Sequence, residues 1–134
     1  MSTDAALQKL IVDRLMAFAP LVALVGERVY DRPPSTRSFP YLSIGPHDVA
    51  EDDADCIEGD SHAVQIDVWS RSPAGFAECK KVTEAARDAL HKYAGTPETG
   101  ALVEMRVTGR RYLGDPDGLT SHGVLTVAAL MEKD

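Results

Sequence analysis

Five residues, His47, Asp48, Asp53, Asp55 and His62, carry the imidazole and carboxylate groups that could hold a divalent cation. Their spacing argues against it. Asp53-x-Asp55 has the opening of a calcium loop, but Ile57 stands where a third oxygen is needed and no Glu closes the loop at its twelfth position. The carboxylates are therefore read as solvated charges that repel one another, and no metal or other cofactor is expected. Nucleophilic chemistry fares no better. Cys79 falls on the apolar stripe of a predicted helix, where a small packed thiol is the ordinary occupant. His122 follows a turn with nothing beside it in sequence to make it a base, and His91 falls on a solvated helix face. Gly109 and Gly114 flank four residues without the Lys-Ser/Thr of a phosphate loop, and G-x-G-x-x-G, G-x-S-x-G and H-E-x-x-H are absent. No catalytic residue is assigned and no enzyme is expected.

Contact chemistry is better supplied. Trp69 alternates with polar and charged neighbours, which predicts that it stands on the sheet face away from the helices, beside Tyr112 and near Arg110 if their strands pair. With Arg71 added, these aromatic and guanidinium groups have the composition of a protein–protein contact. The competing reading is that a loop or the first helix covers Trp69.

The elements that would position these residues follow from periodicity. Ser2 or Thr3 caps a helix whose apolar stripe is Leu7, Leu10, Ile11, Leu15 and Phe18. Pro20 ends it, and the following PLVALVG is a short helical turn or a buried connector. Residues 28–32 and 41–44 read as strands. Residues 46–61 combine Pro, Gly and acidic side chains with few apolar anchors, so a long acidic loop is expected there. The clearest strand is 62–71, with Val64, Ile66 and Val68 on its core face. Ser72-Pro73 starts a second helix running to about Tyr93. A strand over 101–113 is predicted to set Ala101, Val103, Met105 and Val107 on one face. Asp115-Pro116-Asp117-Gly118 suits a type I turn into a last strand burying Leu125, Val127, Ala129 and Met131. The order is α-β-β-β-α-β-β: an α+β fold, with a mainly antiparallel sheet of four to five strands and two helices on one face.

The chain has 134 residues and a net charge of -7, which suits one domain over 1–134 with a core large enough to need no staples. Net acidity argues against a general nucleic-acid binder. The acidity is local: Asp48, Glu51, Asp52, Asp53, Asp55, Glu58 and Asp60 crowd into the expected loop, and no Lys or Arg lies between Ser38 and Ser70. Cys56 and Cys79 are read as free thiols. The N-terminus lacks the pattern of a signal peptide, no apolar run is long enough for a membrane helix, and no membrane partner is expected.

Three segments together resemble the small tail-completion, or tail-terminator, proteins of long-tailed bacteriophages, prophages and gene transfer agents. These are LVGERVYDRPPSTRSFPYLSIG (24–45), HAVQIDVWSRSPAG (62–75) and YLGDPDGLTSHGVLTVAAL (112–130). The resemblance implies a non-catalytic hexamer that caps the head-proximal end of the tail tube, stops its polymerisation and receives the head-tail connector protein. Its partners would be copies of itself, the tail tube protein and that connector. The location implied is the tail-neck region of the virion, reached from the host bacterial cytoplasm. A neighbouring connector or neck protein is the alternative, and a small metal-dependent enzyme a more distant one. Six bodies of about 35 Å in a circle leave an opening of similar width, enough for DNA to pass without specific binding. The acidic residues would then face that lumen or a docking partner, while Trp69, Arg71, Arg110 and Tyr112 would contribute to a subunit interface.

Overall fold

The computed structural model describes residues 2–53 and 58–134, so Asp55, Cys56 and Ile57 lie outside the described residues. Helix α1 spans Thr3–Ala17, with the Ser2 hydroxyl accepting from the Ala5 amide at 3.2 Å. Its stripe, Leu7, Ile11 and Leu15, is fully buried. The PLVALVG segment is a helix of its own: α2 covers Ala19–Val25 with Pro20 in its first turn and Gly26 at its end. Among the described residues, three helices therefore stand where the sequence predicts two. Strand β1, Val29–Tyr30, pairs in parallel with β2, Tyr41–Glu51. Strand β3 covers Gly59–Ser70, α3 covers Ala77–Leu90, and β4 and β5 cover Ala101–Gly114 and Ser121–Glu132.

The sheet order is β1-β2-β3-β5-β4, antiparallel except for the β1–β2 pair. The architecture is α+β, as the sequence predicts. The last strand inserts between β3 and β4, so β3 and β4 are not neighbours. On the helix side, Leu42, Val64, Ile66, Val68, Leu125, Val127 and Met131 pack against Leu7, Ile11, Leu15, Leu21, Val25, Val82, Ala86 and Leu90. Arg14 joins two helices: its Nε donates to the Ala89 carbonyl at 2.8 Å while its guanidinium lies over the rings of Phe18 and Tyr93.

Three expectations need correction. Residues 46–51 and 59–61 are strand and not loop. The ladder shifts register between Ile44 and His47, placing Gly45 and Pro46 in a bulge, and then resumes from His47↔Val64 to Glu51↔Asp60. A bulge is one of the few places where a strand tolerates Pro, which has no N–H to donate. The acidic hairpin arm needs few apolar anchors because β3 pairs on its other side with β5 throughout, from Gly59↔Glu132 to Ser70↔Ser121. The second correction is in β4, where a register shift between Leu102 and Glu104 breaks the predicted alternation, so that Met105 and Val107 share the core face but Ala101 and Val103 do not. Leu102 packs against the core while Val103 is 51% exposed. The third concerns the start of α3. Ser72 caps only a local turn, accepting from the Ala74 amide at 3.2 Å, and the helix begins at Ala77.

Helix α3 lies so close to β5 that Gly123 has no room for a side chain. A Cβ there would meet Thr83 Oγ1, with Cys79 Sγ at 3.2 Å and Val68 Cβ at 3.3 Å. Gly123→Ala should therefore destabilise the protein by about 1–3 kcal/mol, the usual cost of overpacking. Denaturant unfolding at constant m-value measures it, and an unchanged midpoint would refute the close approach.

Candidate functional site

The helices leave one face of the sheet open. Because directly paired residues share a face, the unbroken β3–β5 register puts Ser61, Ala63, Gln65, Asp67 and Trp69 on the open side with Leu130, Ala128, Thr126, Val124 and His122. Most of these side chains are half-buried without a helix above them.

At one end of this face the polar groups satisfy one another. Trp69 Nε1 donates to Ser43 Oγ at 3.0 Å, and its ring stacks on His122 with centroids 3.9 Å apart and planes 11° from parallel. His122 Nε2 lies 2.7 Å from Asp67 Oδ1, which also accepts from Gln65 Nε2 at 2.8 Å. Tyr41 stacks against Trp69 from the other side, at 6.4 Å between centroids. The loop before β2 then closes over Tyr41: Phe39 packs on it at 5.2 Å and Arg37 Nε donates to its hydroxyl at 2.8 Å. The competing reading of Trp69 is thus met in part, since this loop shelters its end of the face.

The predicted four-residue patch divides. Tyr112 pairs with Gly123 and Arg110 with Leu125, both on the helix side, whereas Trp69 pairs with His122 on the open side. Tyr112 packs against the core edge with Lys80 Nζ 5.5 Å above its ring. Arg71 stays at the Trp69 end, its guanidinium over Phe39 and its Nε donating to Thr120 Oγ1 at 2.9 Å. The insertion of β5 is the reason: with β3 and β4 separated, no register unites the four. His122 and Asp67 were missed because their contact depends on that same insertion, and Ser43 because its bond to Trp69 depends on the register between β2 and β3. The signal was available in the alternation of β5, where His122 and Thr126 fall on the face opposite the core residues Leu125 and Val127.

Charge is distributed by flank. Beyond its short contact with β1, β2 has no second strand partner among the described residues, and this margin carries Asp48 and Glu51 and leads to Asp52 and Asp53; Glu58 and Asp60 follow at the start of β3. Asp60 alone among these described acids is buried, at 5% exposure. The opposite margin of the sheet is β4, which has no second strand partner among the described residues; its outer edge is covered only where the Lys92 amide donates to the Met105 carbonyl at 2.9 Å and the Val107 amide to His91, and Arg106, Arg110 and Arg111 are exposed.

The other sequence candidates are structural. Cys79 is fully buried, and burial pushes its thiol above the ordinary value, away from thiolate chemistry. His91 is not on a solvated face: it ends α3, and its Nδ1 accepts the Val107 amide at 3.0 Å, fastening the helix to β4. His47 Nε2 and His62 Nδ1 lie 2.8 Å apart. No helix among the described residues is long and apolar enough to cross a membrane.

A family model described as tail completion protein gp17 matches residues 9–132. The tail completion protein gp17 of Bacillus phage SPP1 is 25% identical over 122 residues, covering 91% of this chain and 89% of that protein. A chain from the virion of a native gene transfer agent particle superposes with a TM-score of 0.84 at 31% identity, over 91% of each chain. The structure of the SPP1 gp17 protein shares the fold, with a TM-score of 0.58 at 22% identity over 98% of this chain and 91% of that one.

Asp117 anchors the turn beside this site. Its carboxylate accepts from the Leu119 and Thr120 amides at 2.8 Å and from the Thr120 hydroxyl at 2.7 Å, while Gly118 takes the positive φ of 71°. The Thr120 hydroxyl first, then these amides, hold its pKa down, from 3.8 to about 2. A depressed carboxylate stabilises the fold above its unfolded pKa and ceases to do so as pH falls through the folded one. Asp117→Ala should therefore melt below the parent at neutral pH, with the gap closing between 3.8 and about 2. Thermal melts across that range check it; a gap independent of pH would assign the loss to something other than the carboxylate.

Proposed function

Because the match spans residues 9–132, the chain belongs to the tail completion protein gp17 family, and we propose that it closes into a hexameric ring at the head-proximal end of a tail tube. Its relatives are named for completing a tail or come from a virion particle, roles that are structural and not enzymatic. This chain is likewise a structural tail protein. The finer claims, that its ring terminates tube growth and receives the connector of the filled head, are our reading.

The observation that carries the ring is the contrast between the two margins of one sheet. A closed cyclic assembly needs two different, complementary patches on each subunit. The acidic arm of β2 and β3 lies on one margin and the arginines of β4 on the other, so neighbours set side by side would bring opposite charges together. Both margins also have strand edges with no strand partner among the described residues, that of β4 being covered only beside Met105 and Val107, and isolated proteins ordinarily suppress such edges. In β4 the two register irregularities restrict that pairing to short stretches. Arg110 and Tyr112 belong to the basic margin, and Trp69 and Arg71 to the end of the open face, where they would meet a tube or connector subunit. Acidic residues not consumed in the ring contacts would line the passage and repel DNA phosphates, which favours transit over adhesion.

The reading is tested by native mass spectrometry across protein and salt concentrations, alone and with the authentic tube protein. Sixfold species that dissociate as salt rises are expected, because screening weakens contacts between exposed charges. The double substitution Arg106→Glu with Arg111→Glu should leave the monomer folded and shift the equilibrium toward it by at least about tenfold, the effect of roughly 1.4 kcal/mol. A chain that stays monomeric beside its tube protein and leaves tube length unregulated would refute the proposal.

A further inference from the structure

Beneath the acidic arm, on the helix side of the sheet, lies a cluster whose members come from distant parts of the chain. Asp4 stands in the first turn of α1, and Asp60 and His62 project from β3 on the same face. One ligating atom from each lies within 4.8 Å of the other two. Local chemistry accounts for the carboxylates separately: Asp4 suits the positive end of a helix, and Asp60 Oδ1 lies 3.5 Å from Lys133 Nζ. It does not account for the imidazole. His62 is 2% exposed, and its Nε2 has no hydrogen-bond partner among the described residues. Such a buried, unpaired polar atom is costly and calls for an explanation.

The other ring nitrogen supplies part of it. His62 Nδ1 lies 2.8 Å from His47 Nε2. When His62 Nδ1–H donates a hydrogen bond to His47 Nε2, the His62 Nε2 is left as a bare lone pair, the form a metal requires, and a partner that fixes it is the usual outer support of a ligating histidine. One imidazole nitrogen and two carboxylate oxygens form a proper donor set for zinc or a similar divalent transition ion, with water completing the coordination. Ligand atoms around zinc lie about 3.4 Å apart, so the observed spread asks for a contraction, which Asp4 on an exposed first turn can supply.

We propose that Asp4, Asp60 and His62 bind a divalent transition metal ion of the zinc class, with His47 orienting His62, and that the ion clamps the start of α1 to the base of the acidic arm. Calcium is disfavoured by the imidazole, since hard cations take oxygen ligands. Lys133 is the ion's competitor for Asp60. The role is structural and is independent of whether copies of the chain close into a ring.

Untagged protein titrated with Co²⁺ tests the proposal, because a nitrogen- and oxygen-ligated tetrahedral ion gives a visible absorption band that free aqueous Co²⁺ lacks; Zn²⁺ should then displace it. One equivalent is expected, with melting temperature rising as the ion is added. Asp4→Asn, at an exposed position, should abolish the band with the circular dichroism spectrum unchanged. His47→Gln should weaken binding by about 10- to 100-fold, as outer-shell changes do, and Lys133→Met should strengthen it. No uptake of either ion by the parent at about millimolar concentration, or uptake equal in the parent and Asp4→Asn, would overturn it.

Discussion

The twelve consecutive pairs between β3 and β5, Gly59↔Glu132 to Ser70↔Ser121, decide the side of the sheet on which every other group stands. Side chains alternate with a period of two, so a slip of one position would carry Val64, Ile66 and Val68 out of the core and Gln65, Asp67 and Trp69 into it. The pairing is pinned from both sides. On the core face the buried alternation of β5 fits that of β3, and α3 presses on Gly123 where a larger residue would not fit. On the open face the stacking of Trp69 on His122, with the Asp67 bond beneath, occurs only in this register. The bulges, by contrast, fall in the outer strands β2 and β4. Irregularity is confined to the margins, where there is a free side to absorb it.

Legibility in the sequence follows the same division. The stripe of α1, the alternation of β3 and β5, and the Asp-Pro-Asp-Gly turn are local patterns, and each is present where periodicity or turn chemistry places it. The β4–β5 hairpin was legible too. Its consequence was not, because nothing local says that the returning strand lies against β3 and excludes β4. That insertion separates Trp69 and Arg71 from Arg110 and Tyr112, although each alone reads as a contact residue. Residues 46–61 show the opposite failure. Their composition speaks for a loop, yet backbone hydrogen bonds to neighbouring strands hold most of them in a hairpin whatever their side chains. His62 reads from sequence as the polar start of a strand, while in the fold it is 2% exposed, with Asp4 of α1 and His47 of β2 brought beside it from distant parts of the chain.

The open face and the two margins suit a subunit that works by being joined. The sheet offers one broad surface without a helix over it among the described residues, a sheltered aromatic end, and flanks of unlike charge, whereas the fully buried Cys79 thiol and the His122–Asp67 pair serve packing and local hydrogen bonding. Family membership agrees with this reading of a molecule whose chemistry is recognition.

The way the acidic arm is built has an effect on how the protein can change. Beyond the Gly45–Pro46 bulge, the segment is held mainly by main-chain pairing, and Asp48, Val49 and Ala50 are exposed. Stability places little demand on the identity of these side chains, so mutation can rewrite the charge displayed there while the scaffold persists. Surface charge and foldability are thereby uncoupled along one short stretch, which can be rewritten without a new architecture.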